Sequence, residues 1–369
     1  MASSYQRANG SWRVAVELER DLDGRRRRRY FDAPTESEAF ARMAEAYPDP
    51  VANTRLLEAL ARSMTNDGPV ADDDWAAYYA NVEARVEAED RTDSDVTEAT
   101  FDWGDGPVGL LLWSDWHVGS RWTNYRQLRE DVEYVARYRL ENPDALHLAH
   151  LGDIKDNYFP AGPHPTGMAE SVIPRTDKQE GAALWLAKQA GNWDMMLLGC
   201  HLAWDLTRQG RDSLAPIAAA LGAVNGGYGL SATISVGSQT YLGLLRHKPQ
   251  GGGGMAPGNA HRRLDNEYGP YGERADFIST SHQHTCHLEQ YDKAGRHVTF
   301  TRSGGYKGGD CFARAGAFTH TKPADCGVPL LIFYPDRHHI TAFAGHDWKA
   351  GLEYLAMLRE DYEADDLAA

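Results

Sequence analysis

The feature that most constrains this chain is a series of short apolar runs, each ending in residues that can bind a metal or move a proton. Residues 108–113 (VGLLLW) lead into Ser114, Asp115, Trp116 and His117, and residues 146–151 (LHLAHL) into Gly152 and Asp153. Residues 195–198 (MMLL) lead into Gly199, Cys200 and His201, and residues 240–245 (TYLGLL) into Arg246, His247 and Lys248. A fifth run, 275–279 (ADFIS), precedes Ser281, His282, Gln283 and His284. Continuous apolar runs of this length suit strands buried on both faces. Helical spacing at 125–140 and 178–190 falls between them. The expected fold is a layered α/β domain, and in such folds ligands gather at the carboxyl ends of strands.

Asp115-x-His117 at a strand end is expected to place both side chains on one face, because strand side chains repeat every two residues. The same expectation applies to His282 and His284. Carboxylate and imidazole together suit manganese, iron, zinc or nickel. Two such cations roughly 3.5–4 Å apart clamp a phosphoryl group and lower the pKa of a water. Asp153, alone on its strand end, is the natural bridge between them. His147, His150, His287, His297, His338 and His339 are read as structural or surface residues. Asp156 and Asn157 are read as helix caps, with substrate contact as the alternative. Gly251, Gly252, Gly253 and Gly254 lack the Gly-Lys-Ser/Thr ending of a phosphate loop and are read as a flexible rim.

The order Asp115-x-His117, Gly152-Asp153, Gly199-Cys200-His201, His247 and Ser281-His282-x-His284 resembles the calcineurin-like metallophosphoesterases, over residues 108–343. The resemblance implies a β-sandwich flanked by helices. It implies one metal on Asp115, His117, Asp153 and His284, and a second on Asp153, residue 200, His247 and His282. His201 would be the general acid that protonates the leaving oxygen. Two divalent cations are implied, manganese first, with zinc, iron or nickel as alternatives. The implied reaction is hydrolysis of a phosphodiester, in nucleic acid, by hydroxide activated between the metals. The alternatives are a small-molecule phosphoesterase acting on cyclic nucleotides or phosphomonoesters, and a non-catalytic DNA-binding protein with a degenerate site. Three positions depart from the family pattern. Cys200 stands for Asn, Leu202 for a residue that is usually acidic, and Ser281 for Gly, the last at little expected cost. A thiolate is anionic and soft where Asn is a neutral oxygen donor. Cys200 is expected to be a ligand of the second metal; the alternative is a thiol that stays protonated and leaves that metal weak or absent.

Residues 1–48 read as a small β-hairpin and helix unit. Residues 10–18 (GSWRVAVEL) alternate, residues 21–24 (DLDG) supply a turn, and Arg25, Arg26, Arg27, Arg28 and Arg29 open a basic strand. Thr35 and Glu38 form a capping box for a following helix. The pattern resembles the arm-type DNA-binding domain of phage integrases and implies DNA binding through the five arginines. The alternative is a charged hairpin edge that resists sheet pairing. Residues 49–100 read as a helical pair (51–66 and 72–90) with an acidic linker, 101–345 as the catalytic domain, and 346–369 as a terminal helix or tail. The net charge of −15 excludes a protein that simply coats nucleic acid. It does not exclude an enzyme that meets phosphodiesters through bound cations. With no run of about 20 apolar residues, no apolar leader and irregularly spaced cysteines, the expected setting is the cytoplasm, away from membranes. The integrase-like arm points to a phage-encoded protein.

Overall fold

The computed structural model describes residues 2–6, 12–18, 27–34, 96–159, 162, 164–248, 259, 262–264, 275–293, 295–309 and 325–368. The chain forms two units, Met1–Thr92 and Asp93–Ala369. In the first, β1 (Ala2–Gln6), β2 (Trp12–Leu18) and β3 (Arg27–Ala33) form an antiparallel sheet in that order. Sequence patterning finds β2 and β3 but misses β1, because ASSYQ carries no apolar alternation to mark it. Arg27, Arg28 and Arg29 stand at register positions opposite Leu18, Glu17 and Val16. Arg25, Arg26, the helix expected after Thr35 and the helical pair at 51–66 and 72–90 lie outside the described residues.

The second unit is mixed α/β, with two six-stranded mixed sheets flanked by helices. Its strands are β4 (Thr97–Asp102), β5 (Val108–Trp113), β6 (Leu146–His150), β7 (Met195–Met196), β8 (Val224–Asn225), β9 (Gly229–Val236), β10 (Gln239–Arg246), β11 (Phe277–Thr280), β12 (His287–Lys293), β13 (Arg296–Arg302), β14 (Leu330–Phe333) and β15 (Ile340–Phe343). One sheet runs β15-β14-β5-β6-β7-β8, with β5 to β8 parallel. The other runs β12-β13-β11-β10-β9-β4, with β10, β11 and β13 parallel. The helices are α1 (Tyr125–Glu141), α2 (Thr176–Gln189), α3 (Gly199–Gln209), α4 (Leu214–Leu221) and α5 (Trp348–Ala368).

β5 shows why its sequence is apolar throughout. Val108, Leu110 and Leu112 join β9, β10 and β11 side chains in a core between the sheets. Leu111 and Trp113 point the other way, into a core shared with the helices. Both faces are buried, so alternation disappears.

Two boundaries differ from the sequence reading. The stretch 89–100 is not linker to its end, because β4 pairs in parallel with β9. Ala99 and Phe101 pack on the inter-sheet core, while Glu98, Thr100 and Asp102 are exposed and gave the segment its polar look. The expected helix after residue 345 is α5, and its Trp348, Leu352 and Leu355 are buried in the helix-side core. A Cβ on Gly109 would lie 2.9 Å from Leu355 Cδ2, so β5 needs glycine where α5 crosses it. Only Met195–Met196 of the MMLL run is strand, since Leu198 already turns into α3. Cys326 belongs to no strand; its buried sulfur lies near Asn124 Nδ2. Cys311 lies outside the described residues. Among the described residues no helix is long and apolar enough to cross a membrane.

Candidate metal centre

The segments leaving the carboxyl ends of β5, β6, β7, β10 and β11 converge on one place. The loops after β5 and β6 are zipped together, Asp115 N–H donating to Gly152 O at 3.0 Å and His117 N–H to Asp153 O at 3.0 Å. Asp115 (φ 51°), His117 (47°), Asp153 (55°), His282 (73°) and His284 (49°) all adopt left-handed backbone. They are five of the seven non-glycine residues with positive φ among the described residues. This overturns the expectation of strand-like alternation for Asp-x-His and His-x-His. β5 ends at Trp113 and β11 at Thr280, so the pairs are aimed by turn backbone. Such conformations cost about 1–3 kcal/mol each and persist only where the surroundings enforce them. Two glycines allow the approach: a Cβ on Gly199 would sit 2.2 Å from Asp153 N, and one on Gly152 would sit 2.6 Å from Gly199 Cα.

Two ligand groups result, Asp153 with Cys200, His247 and His282, and Asp115 with His117 and His284. Within each, one donor atom per residue lies within 4.8 Å of the others. In the first group, Asp153 Oδ2 is 3.0 Å from both His247 Nε2 and Cys200 Sγ, and Cys200 Sγ is 3.5 Å from His282 Nδ1. In the second, His284 Nε2 lies 3.2 Å from Asp115 Oδ1 and 3.1 Å from His117 Nε2. The groups touch through His282 N–H, which donates to Asp115 Oδ2 at 3.1 Å. All seven residues expected as ligands are therefore assembled, and Asp153 falls within the Cys200 group.

The hydrogen bonds show that this donor set fits cations. His117 Nδ1 is 3.2 Å from Asp156 Oδ1, His247 Nδ1 is 2.8 Å from Leu151 O, and His284 Nδ1 is 3.1 Å from Lys307 O. Carboxylate and carbonyl oxygens only accept, so each neutral ring keeps its proton on Nδ1 and presents a lone pair at Nε2. The Nε2 lone pairs of His117 and His284 thus face each other with Asp115 Oδ1 beside them. His247 Nε2, close as it is to Asp153, makes no hydrogen bond, and neither does Asp115 Oδ1. Buried donor atoms aimed at one another without hydrogen bonding make a place for a positive ion.

Electrostatics agree. Burial raises the Asp115 carboxyl, but the imidazoles of His284 and His117 outweigh it and hold the pKa well below the usual range. Burial likewise opposes ionisation of Asp153, and His247 and His201 overcome it. Burial would push His247 down, yet Asp153 and then Asp115 raise it to about 9, so at neutral pH the metal-free ring is cationic and a metal must displace its Nε2 proton. Burial, followed by Asp153, pushes the Cys200 thiol well up, consistent with its donating to that carboxylate. His282 is pushed down to about 4 by burial and by His247.

His201 opens α3 with its N–H donating to Asp153 Oδ1 at 2.7 Å. Its Nδ1 donates to the Asp156 carbonyl, and burial pushes its pKa down to about 3.

Several supporting residues have roles other than those expected from the sequence, and one was not expected at all. Asp156 caps no helix; it accepts from His117 Nδ1 and from Lys307 Nζ at 2.7 Å. Burial opposes its charge, but Lys307 prevails and lowers its pKa to about 2. Asn157 Nδ2 donates to His201 O at 2.7 Å and tethers the start of α3. Ser281, expected to cost little in place of glycine, has its hydroxyl 2.9 Å from His247 Nδ1 and 3.1 Å from Leu151 O. Asp156 carried a weak signal, three residues past Gly152-Asp153; Lys307, far along the chain, carried none. A third group, His117 with Asp156 and His201, also has ligand spacing. The Lys307 ammonium already occupies its carboxylate, so a cation there would meet like charge.

The six histidines read as structural or surface residues stay outside the ligand groups. His147 pairs with Asp194 and stacks on Trp103, and buried His150 accepts from Gly152 N–H. His297, His338 and His339 line a separate cavity of about 460 Å³ with Tyr241 and Asp276. That cavity lies at the opposite ends of β10 and β11 from His247 and His282.

No protein-family profile and no curated protein sequence matches the chain. Solved structures match over part of it. The NAD nucleotidase of Haemophilus influenzae is 9% identical over 64% of this chain and 49% of its own, with a TM-score of 0.37. The 5'-nucleotidase precursor of Thermus thermophilus is 12% identical over 70% and 59%, at 0.31. Zinc-complexed Vps29 of Entamoeba histolytica is 13% identical over 64% and 98%, at 0.29. The matched region thus spans about half of the Haemophilus protein's length.

Proposed function

We propose that the second unit is a calcineurin-like metallophosphoesterase that hydrolyses phosphodiesters with two bound divalent cations. The observation that carries this reading is the convergence of Asp115, His117, Asp153, Cys200, His247, His282 and His284 into two groups, with His247 Nε2 and Asp115 Oδ1 buried and without hydrogen bonds. The motif order supports it independently. Divalent cations held there supply a Lewis acid for phosphoryl oxygens and lower the pKa of a water.

The chain's own residues do the rest. Asp153, held by His201 N–H, faces the donors of the Cys200 group, and its carbonyl accepts from His117 N–H of the other. Asp156, Leu151 O and Lys307 O fix the Nδ1 protons of His117, His247 and His284, so each ring turns Nε2 inward. His201, with Nδ1 committed to Asp156 O, has only Nε2 to hold a proton at the leaving oxygen. Hydrolysis of bis-p-nitrophenyl phosphate should vanish on chelation and return with manganese, nickel, zinc or iron. Equal rates with and without metal would overturn the reading.

The donor set refines the metal. Asp153, Cys200, His247 and His282 offer one oxygen, one sulfur and two nitrogens, and a thiolate favours zinc or iron over manganese. Cys200 should therefore be protected from alkylation by bound metal and become reactive after chelation. Cys200→Ser should lower the occupancy of one metal of the two. A rise in metal content and activity in Cys200→Asn would instead show that the thiol is a bystander and that oxygen is the better donor.

A further inference from the structure

An aromatic group stands directly beside His201 and is not needed to bind metal. Trp204 lies three residues along α3, one helical turn from His201 and on the same face. Its ring centroid is 4.1 Å from that of His201, with the planes 33° apart. Tyr158 packs against both, at 5.3 Å from His201 and 5.5 Å from Trp204. His164 closes the arrangement, edge-on to Trp204 at 5.7 Å. The members differ in exposure. Tyr158 and His201 are buried, whereas Trp204 and His164 are partly open to solvent. The rings thus form a wall running outward from the His201 imidazole to the surface.

We propose that Trp204 and His164 form a stacking platform for a nucleobase on the leaving group, which makes the substrate a nucleobase-bearing phosphoester. This inference rests on His201 being the residue that faces the leaving oxygen. Whatever that oxygen carries must then pass along Trp204 on its way out. The indole offers a wide flat π surface with few hydrogen-bonding atoms, and His164 stands edge-on at its rim, which suits a planar base and is indifferent to its identity. A simple alkyl phosphate would leave this surface unused. Mononucleotide esters and single-stranded nucleic acid share the chemistry. They differ in whether further bases extend beyond the platform.

The test compares a dinucleoside monophosphate with the same diester carrying an abasic sugar on the leaving side. The metal-loaded wild-type enzyme should prefer the base-bearing ester in kcat/KM by roughly 5- to 100-fold, the range expected for one stacked base. Trp204→Ala should bring the ratio close to one, and Trp204→Phe should keep most of it. A 12-nucleotide single strand should outpace the dinucleotide if nucleic acid is the source, and match it if a mononucleotide ester is. Equal losses on both esters in Trp204→Ala would overturn the platform and leave the indole as mere packing for His201. Calorimetric binding of thymidine 5'-monophosphate separates this from the hydrolase reading. If no ester is cleaved but Trp204→Ala weakens this binding by the same factor, the platform stands and the hydrolase reading falls. Unchanged binding in a folded Trp204→Ala protein sinks the platform whatever the activity.

Discussion

Asp153→Asn should lower phosphodiester hydrolysis by well over 100-fold, more than any other single ligand change, and metal content should fall with it. Removing an outer partner of a ligand typically costs about 10- to 100-fold, and Asp153 is closer in than that. One carboxylate meets His247 Nε2, Cys200 Sγ and His201 N–H at 3.0, 3.0 and 2.7 Å. An amide keeps the shape but loses the charge, and its NH2 group turns a donor towards atoms that must themselves give lone pairs to a cation. The lost charge weakens the Cys200 group directly and, through the His282 N–H bond to Asp115, reaches the other. Metal analysis alongside rates, with a thermal melt to show that the variant folds, reads this directly. A fully metallated, active Asp153→Asn enzyme would show that the centre is misassigned.

The candidate ligands were legible as a group because each carries a chemical type in a fixed order, even where the reason given for their placement was wrong. Asp115 and His117 do share a site, but through positive φ in a loop rather than strand alternation. A sequence records residue types; it does not record that Asp115 N–H donates to Gly152 O and bends the chain that way. β5 and β6 were legible because burial on both faces leaves unbroken apolar runs. β4 was hidden because its exposed Glu98, Thr100 and Asp102 resemble the acidic stretch before it. Lys307 was invisible for a different reason. A lone lysine is ordinarily a solvated surface residue, and only the fold sets it beside Asp156, 151 positions away in sequence. Ser281 was undervalued because a hydroxyl differs little from glycine in size. Its worth here is a hydrogen bond at 2.9 Å to a ligand's ring.

His201→Gln should keep the metal content while cutting kcat by roughly 100- to 10,000-fold on esters with alkoxide leaving groups, the usual span for a lost general acid. The geometry supplies the reason. Nδ1 is committed to the Asp156 carbonyl, so only Nε2 can take up a proton and pass it on. Burial holds the free ring near a pKa of about 3, which opposes the protonated form. A phosphodiester anion against Nε2 works in the other direction, because an adjacent negative charge favours the imidazolium. The acid is therefore formed with the substrate rather than held in advance. Leaving-group dependence distinguishes this from a structural role. A p-nitrophenolate needs little protonation as it departs, so His201→Gln should cost far less on bis-p-nitrophenyl phosphate than on a dinucleoside monophosphate. Equal losses on the two esters, with metal content intact, would mean that the His201 ring only holds its neighbours in place, through its Nδ1 bond to Asp156 O.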